Sequence, residues 1–221
     1  MDFKINNDWA LFYGIMIGDG CISKYKKYSF VVITCNIFDD EPFFNEIVIP
    51  LLSKIRGKPV KYRKREKYGK IEINFSDKDL FRSIASIGYP IGKKGKIIIT
   101  DKFPMKLWKH IIAGIFATDG SLVVKNNNNN GTIYPRIEIR SISGELLNQI
   151  KTFLIENGLN GNVYEVEKHK INSTYRMEFP GENNLIKFKE KIGFVNPKHL
   201  EKYNLYMEKK NFSWNEWNFK R

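Results

Sequence analysis

Residues 14–20 read GIMIGDG and residues 114–120 read GIFATDG. Aligning Gly14 with Gly114 places Asp19 on Asp119 and Gly20 on Gly120, one hundred residues apart. Alone, either ending is an ordinary helix stop, because Gly tolerates the left-handed conformation just past a last turn. Two such endings in matching surroundings are a repeat, and a repeat decides the architecture.

The matching surroundings extend outward. Strand-like runs follow each Asp-Gly, CISKYKKYSFVVITCNI in one half and SLVVKNNNNNGTIYPRIEIRSI in the other. Amphipathic helices come next, DEPFFNEIVIPLLSKI and SGELLNQIKTFLIENG, with Asp40 and Ser143 as N-caps. A second strand pair then appears in each half, PVKYRKRE with KIEINFS and GNVYEVEKHK with STYRMEFP. Helices ending in Ile-Gly-aromatic close both, DLFRSIASIGY and NLIKFKEKIGF. The expected fold is α+β, a tandem αββαββα duplication with halves at 1–96 and 97–221 and a linker near 90–103. The Asn-rich run at 126–131 reads as a polar turn.

Composition narrows the partner. The 221 residues carry 37 Lys and Arg against 24 Asp and Glu, a formal net charge of +13. A hydrophobic content of 42%, with 14% aromatics, is enough for a real core, so this is not a disordered basic tail. The surplus points to a polyanion, and nucleic acid is the commonest. No apolar run reaches transmembrane length and no lipidation signal or secretory leader is present, so no membrane partner is expected. Cys21 and Cys35 make neither a disulfide framework nor a zinc cluster, which fits reduced thiols in an intracellular protein. His110, His169 and His199 show no ligand spacing with one another.

On a helix, Gly14 and Gly18 fall on one face, as do Ala113 with Ala117 and Gly114 with Thr118. Small residues at this spacing let two helix backbones approach closely, and the natural partner of each helix is its copy. Helices packed with ends level bring Asp19 and Asp119 together. Two close carboxylates repel or shift in pKa unless a cation lies between them. Helix C-termini add unpaired carbonyls and the negative end of the macrodipole. Such an all-oxygen set suits Mg²⁺ or Mn²⁺, and in a basic protein it suggests phosphodiester hydrolysis by a metal-activated water.

These residues resemble a known family. FYGIMIGDG (12–20) and IAGIFATDG (112–120) look like the two signature helices of a single-chain LAGLIDADG homing endonuclease, and the likeness spans nearly the whole chain. Ile17 and Ala117 depart from the pattern where it often has an acid, a position that is not the metal-binding one. The resemblance implies two pseudo-symmetric half-domains packed through the signature helices, with saddle-shaped antiparallel sheets straddling a long DNA site. It implies that Asp19 and Asp119 hold the catalytic metal, helped by the backbone carbonyls of Gly18 and Thr118. It implies a lysine after the last helix of each half. IGYPIGKKGKI carries Lys93, Lys94 and Lys96, and IGFVNPKHLEKY carries Lys198 and Lys202. Allowing one gap, Lys96 pairs with Lys202 as the catalytic choice; Lys93 with Lys198 is the ungapped alternative.

The strands offer a reading surface. Ile71, Ile73 and Phe75 alternate with Lys70, Glu72 and Asn74, and Ile137 and Ile139 with Arg136, Glu138 and Arg140. Tyr175, Met177 and Phe179 alternate with Thr174, Arg176 and Glu178. The stretch 54–70 holds nine Lys or Arg and one acid, Glu66, a concentration that phosphate neutralisation explains. Expected DNA contacts are Lys61, Arg63, Arg65, Lys70, Glu72, Asn74, Arg136, Glu138, Arg140, Lys168 and Arg176.

The expected function is a site-specific, metal-dependent double-strand break in a long asymmetric DNA target, made by a monomer in a prokaryotic cytoplasm or an organelle. The main rival is an intron RNA maturase of the same fold, with or without cleavage activity. A transcription regulator would usually lose the metal acids and carry an added module, for which 221 residues leave no room. An unrelated basic domain with two coincidental Asp-Gly caps is the remaining alternative.

Overall fold

The computed structural model describes residues 5–126, 132–168, 173–211, 213, 214 and 217. The Asn-rich run past Asn126, and His169, lie outside the described residues. The chain divides into two compact units, Met1–Asp119 and Gly120–Arg221.

In the first unit, α1 (Asn7–Asp19) leads into the hairpin of β1 (Gly20–Tyr25) and β2 (Tyr28–Asn36). A helical segment follows, from α2 (Glu41–Phe43) through a π-turn at Phe44–Val48 into α3 (Ile49–Arg56). Next come β3 (Arg63–Arg65), β4 (Lys70–Ser76), α4 (Lys78–Ser86) and α5 (Trp108–Asp119). The second unit runs β5 (Gly120–Asn126), β6 (Ile133–Ser141), α6 (Gly144–Glu156), β7 (Asn162–Glu167), β8 (Thr174–Pro180), α7 (Glu182–Lys191) and α8 (Pro197–Lys209). Among the described residues there are two antiparallel four-stranded sheets, ordered β1-β2-β4-β3 and β5-β6-β8-β7. The identical strand order is the duplication that the repeat predicts.

Compactness divides the chain differently from the repeat. α5 begins the second copy in sequence but packs along α1, so it belongs to the first unit. Segment 90–103, expected as a linker, is packed as well. Ile97, Ile99 and Phe103 are buried, Ile98 O accepts a hydrogen bond from Tyr13 Oη at 3.2 Å, and Phe103 stacks on Tyr13 at 4.7 Å. α8 was not anticipated from sequence. Asn196 caps it, accepting from Lys198 N at 3.2 Å, and Pro197 occupies its first turn, where a missing N–H costs nothing.

α1 starts where Asn6 Oδ1 accepts from Trp9 N at 3.0 Å. Trp9, Phe12, Tyr13, Ile15, Met16 and Ile17 are all buried, so the helix is covered on nearly every face. Its end differs from the expected left-handed cap. Gly20 is extended (φ −90°, ψ 161°), and the chain passes directly into β1. Glycine is needed here for space, since a Cβ would lie 2.5 Å from Met16 Cα. Of the two expected N-caps, Ser143 Oγ accepts from Leu146 N at 3.3 Å, whereas Asp40 makes no side-chain cap bond.

Each sheet has one apolar face. Ile22, Val31, Ile33, Ile71 and Ile73 form the buried face of the first, under α4 residues Leu80, Phe81 and Ile84. Leu122, Ile137, Ile139, Met177 and Phe179 do the same in the second, with Leu147, Ile150 and Phe188 from its helices. Burying each such side chain contributes roughly 1.5–3 kcal/mol. Among the described residues, no helix is long and apolar enough to cross a membrane.

Candidate functional site

The two signature helices meet backbone to backbone. A Cβ on Gly14 would run into Ile111 O and lie 3.1 Å from Gly114 Cα. A Cβ on Gly114 would lie 2.5 Å from Leu11 O and 2.8 Å from Ile15 N. One turn on, a Cβ on Gly18 would strike Thr118 Oγ1 and lie 3.4 Å from Asp119 Cγ. Glycine opposite glycine, followed by Gly18 opposite Thr118, keeps the helices in register to their ends. Thr118 turns its hydroxyl back onto Gly114 O (3.1 Å) and Ile115 O (3.0 Å), which satisfies it without a partner outside the helix.

This register brings the Asp119 carboxyl against Gly18, one residue before Asp19. Asp19 is half-buried and Asp119 is exposed. Desolvation of its carboxyl by nearby protein raises the Asp119 pKa above the usual aspartate range, and the charge of Lys94 works against the rise.

Lys94 stands at the same place. Its Nζ donates to Ile17 O at 2.7 Å and to Gly18 O at shorter range, satisfying carbonyls that the last turn of α1 leaves open. Burial lowers the Lys94 pKa; the charges of Asp119 and Asp19 push the other way. Beneath it, buried Tyr89 has its Oη 2.6 Å from Met16 O and 2.9 Å from Gly20 O, sharing one proton between them. Desolvation by burial pushes the Tyr89 pKa far up, so the hydroxyl stays protonated.

Both groups arrive on one strap. Gly92 N donates to Ile22 O at 2.7 Å, Cys21 Sγ lies 3.6 Å from Gly92 O, and Ile91 bridges to Ile22. Gly88, Gly92 and Gly95 all have positive φ, which turns the strap back along β1. Lys93 and Lys96 point to solvent on either side of Lys94. The expected Lys96 is therefore not the amine that reaches α1. Its expected counterpart Lys202 lies half-buried on α8, and Lys198 in the first turn of that helix. Tyr89 carried no signal in sequence beyond its place in IGY.

The donor set suits a hard cation. Among the described residues, no three His, Cys, Asp or Glu side chains cluster as a metal site. A cation here would be held by two carboxylates and by backbone carbonyls, among them Gly18 O, which already accepts one positive group. An all-oxygen set around a partly desolvated carboxylate fits Mg²⁺ or Mn²⁺.

The polar sheet faces differ. In the first unit Lys61, Arg63, Arg65, Lys70 and Asn74 are exposed, and Glu72 accepts weakly from Arg65 and Asn74, at 3.4 Å each. Lys64 pairs with Glu41 at 2.7 Å. In the second unit Glu138, expected at a reading surface, is instead buried. It takes Arg136 at 2.6 Å and Arg140 at 2.8 Å. Arg136 also reaches Glu178 at 2.9 Å, and Arg176 joins Glu178 at 2.7 Å. The register explains the network, since Glu138 opposes Glu178 and Arg140 opposes Arg176. Like charges face across strands and opposite charges meet along and diagonally between them, which offsets the repulsion. Lys168 is exposed.

Known proteins fit this picture. A family model described as LAGLIDADG-like domain matches residues 109–193, the stretch from α5 to α7. A probable translation initiation factor IF-2 of Methanocaldococcus jannaschii is 26% identical over 219 residues, covering 93% of this chain and 17% of that protein. A tRNA-splicing ligase RtcB of Pyrococcus abyssi is 29% identical over 136 residues, covering 56% of this chain and 14% of that protein. The chain thus spans about a sixth of the length of the curated relatives it matches. A solved structure of I-DmoI in complex with DNA and Ca aligns with TM-score 0.63 at 20% identity, covering 91% of this chain and 97% of that one. The I-LtrWI LAGLIDADG homing endonuclease bound to target DNA aligns with TM-score 0.61 at 12% identity, covering 93% and 92%. The chain has the fold of the single-chain LAGLIDADG homing endonucleases, with a LAGLIDADG-like domain matched across residues 109–193.

Proposed function

We propose that the protein is a site-specific DNA endonuclease that makes a double-strand break with a divalent cation held at the paired ends of α1 and α5. The observation that carries this reading is the approach of Asp119 to Gly18 beside Asp19. Two carboxylates are set at one helix–helix end in a chain of net charge +13. Structures of I-DmoI in complex with DNA and Ca or Mn support it by fold likeness. The two curated relatives have different names, and the matched segment is a small share of each, which fits a module separate from either named activity.

In this reading Asp19 and Asp119, with the carbonyls of Gly18 and Thr118, hold the cation. When bound, Mg²⁺ or Mn²⁺ supplies an activated water and stabilises charge on the phosphate oxygens. Lys94 takes the role that the resemblance implied for Lys96, an ammonium that neutralises a phosphate once it is off the helix-end carbonyls. Tyr89 keeps the helix end in place. The exposed Lys61, Arg63, Arg65 and Lys70 bind phosphates, and Glu72 and Asn74 face bases. Arg140, Arg176 and Lys168 act from the second sheet, where Glu138 orients Arg136 and Arg140 rather than touching DNA. The protein acts on double-stranded DNA as a monomer whose unlike halves read an asymmetric target.

The test is cleavage of a randomised duplex library with Mg²⁺ by wild type, Asp19→Asn and Asp119→Asn. Wild type should leave double-strand ends at a restricted set of sites, and both variants should lose them. Persistent cleavage by both variants overturns the metal assignment. Tight binding of structured intron RNA without cleavage of any DNA overturns the nuclease reading.

A further inference from the structure

We propose that Lys94 is the resident cation of the α1–α5 end: its ammonium occupies the Gly18 carbonyl beside the two carboxylates in the metal-free protein, and must leave it for a divalent cation to bind. The inference rests on the metal reading above and goes beyond it.

The paired helix ends gather negative charge from two sources, the Asp19 and Asp119 carboxylates and the open carbonyls of a helix C-terminus. Lys94 answers both. Its Nζ donates to Ile17 O at 2.7 Å and to Gly18 O. The Asp119 carboxyl lies against the same glycine, its Cγ 3.4 Å from where a Gly18 Cβ would stand. An ammonium on Gly18 O and a dipositive ion sharing that oxygen would repel at contact range, so they use the carbonyl in alternation.

The strap is built to permit this. Its anchor is Gly92, bonded to Ile22 O at 2.7 Å, and a Cβ on Gly92 or on Gly95 would meet nothing within 4 Å. Lys94 follows this anchor by two residues and reaches α1 on a flexible four-carbon stem. Lys93 and Lys96 already lie in solvent, so the displaced amine has somewhere to go without unfolding the strap. The site is thereby assembled before metal arrives, and metal affinity is reduced by the cost of expelling the amine.

The test is calorimetric titration of DNA-free protein with Ca²⁺, comparing wild type, Lys94→Met and Lys94→Arg. Lys94→Met should bind at least about fivefold more tightly than wild type, the lower end of ordinary coupling between two sites. Lys94→Arg, which keeps the charge, should not show that gain. Equal or weaker binding by Lys94→Met overturns the proposal while leaving the metal site standing. Absence of binding by both wild type and Lys94→Met removes the metal reading and this inference with it. A second measurement needs no variant: amine-reactive labelling of wild type, read by mass spectrometry. Labelling at Lys94 should rise several-fold on adding Ca²⁺ while Lys96 stays constant. Unchanged or reduced labelling of Lys94 overturns the proposal.

Discussion

Gly14 and Gly114 face each other across the α1–α5 contact with no room for a methyl group on either. A Cβ on Gly114 would come within 2.5 Å of Leu11 O and 3.0 Å of Gly14 C, and backbone cannot rotate away as a side chain could. Gly114→Ala should therefore lose about 1–3 kcal/mol, the ordinary penalty of overpacking a close contact. Urea unfolding checks it. A variant as stable as wild type would mean that the helices separate without cost.

Tyr89→Phe removes the hydroxyl shared between Met16 O and Gly20 O, leaving the Gly20 N–H on Met16 O in place. The expected loss is about 0.5–1.5 kcal/mol. If Tyr89 positions Asp19 as well, Ca²⁺ binding by the folded variant should weaken, which a purely structural loss would leave unchanged. Calorimetry on the folded variant separates the two.

Asp77 caps α4 through Leu80 N at 3.0 Å and receives Arg56 Nε at 3.0 Å, both side chains nearly buried. Asp77→Ala should cost about 2–4 kcal/mol, a cap plus an uncompensated buried arginine. Burial opposes ionisation of Asp77, yet the Leu80 N–H and Arg56 outweigh it and hold its pKa below the ordinary 3.8. Glu138 behaves alike: burial opposes ionisation, and Arg140 and Arg136 still keep its pKa below 4.5. Depressed folded pKa values contribute stability above the unfolded values and lose it as pH falls through the folded ones. Melting temperature should therefore drop steeply below about pH 4, and less steeply in Asp77→Asn.

Asp119 has the opposite sign. Its folded pKa is raised by desolvation, so its ionisation costs stability as pH rises past the unfolded value. Asp119→Asn should melt higher than wild type at pH 7 in chelator, with the gap closing as pH falls toward 4. The same substitution should abolish cleavage. A lower melting temperature at pH 7 would show that the charge of Lys94 outweighs desolvation.

The exposed basic side chains of the first unit should set salt dependence. Removing Lys61 or Arg63 should weaken binding across all DNA sequences and reduce the slope of log K against log salt by about one each. Filter binding over a salt series measures it. A sequence-selective loss would instead make the residue a base reader.

Much of the architecture could be read from residue patterns, because its causes are local. Period-two alternation in KIEINFS and TYRMEFP requires one buried sheet face, and the repeated glycines of GIMIGDG and GIFATDG require a close helix contact. The DG ending misled only in mechanism. Gly20 is demanded by Met16 across the last turn of α1 and not by a left-handed cap, and a residue pattern does not distinguish crowding from torsion. α8 was missed because its signal, Asn-Pro before a polar helix, lay beyond the repeat.

Composition and repetition were enough to predict a duplicated α+β chain with a formal net charge of +13 and two matched carboxylates. Those properties follow from periodicity, side-chain size and net charge, which are present before folding. Which lysine reaches the end of α1, and whether Glu138 faces solvent or a pair of arginines, followed from contacts between residues distant in the chain. IGKKGK offers three nearly equivalent amines, and the turn of the strap over Gly92, pinned to Ile22, carries Lys94 alone to Gly18. Cross-strand register does the same for Glu138, setting it opposite Glu178 and within reach of Arg136 and Arg140. Such choices arise from chain geometry over long separations, for which a linear pattern holds no measure.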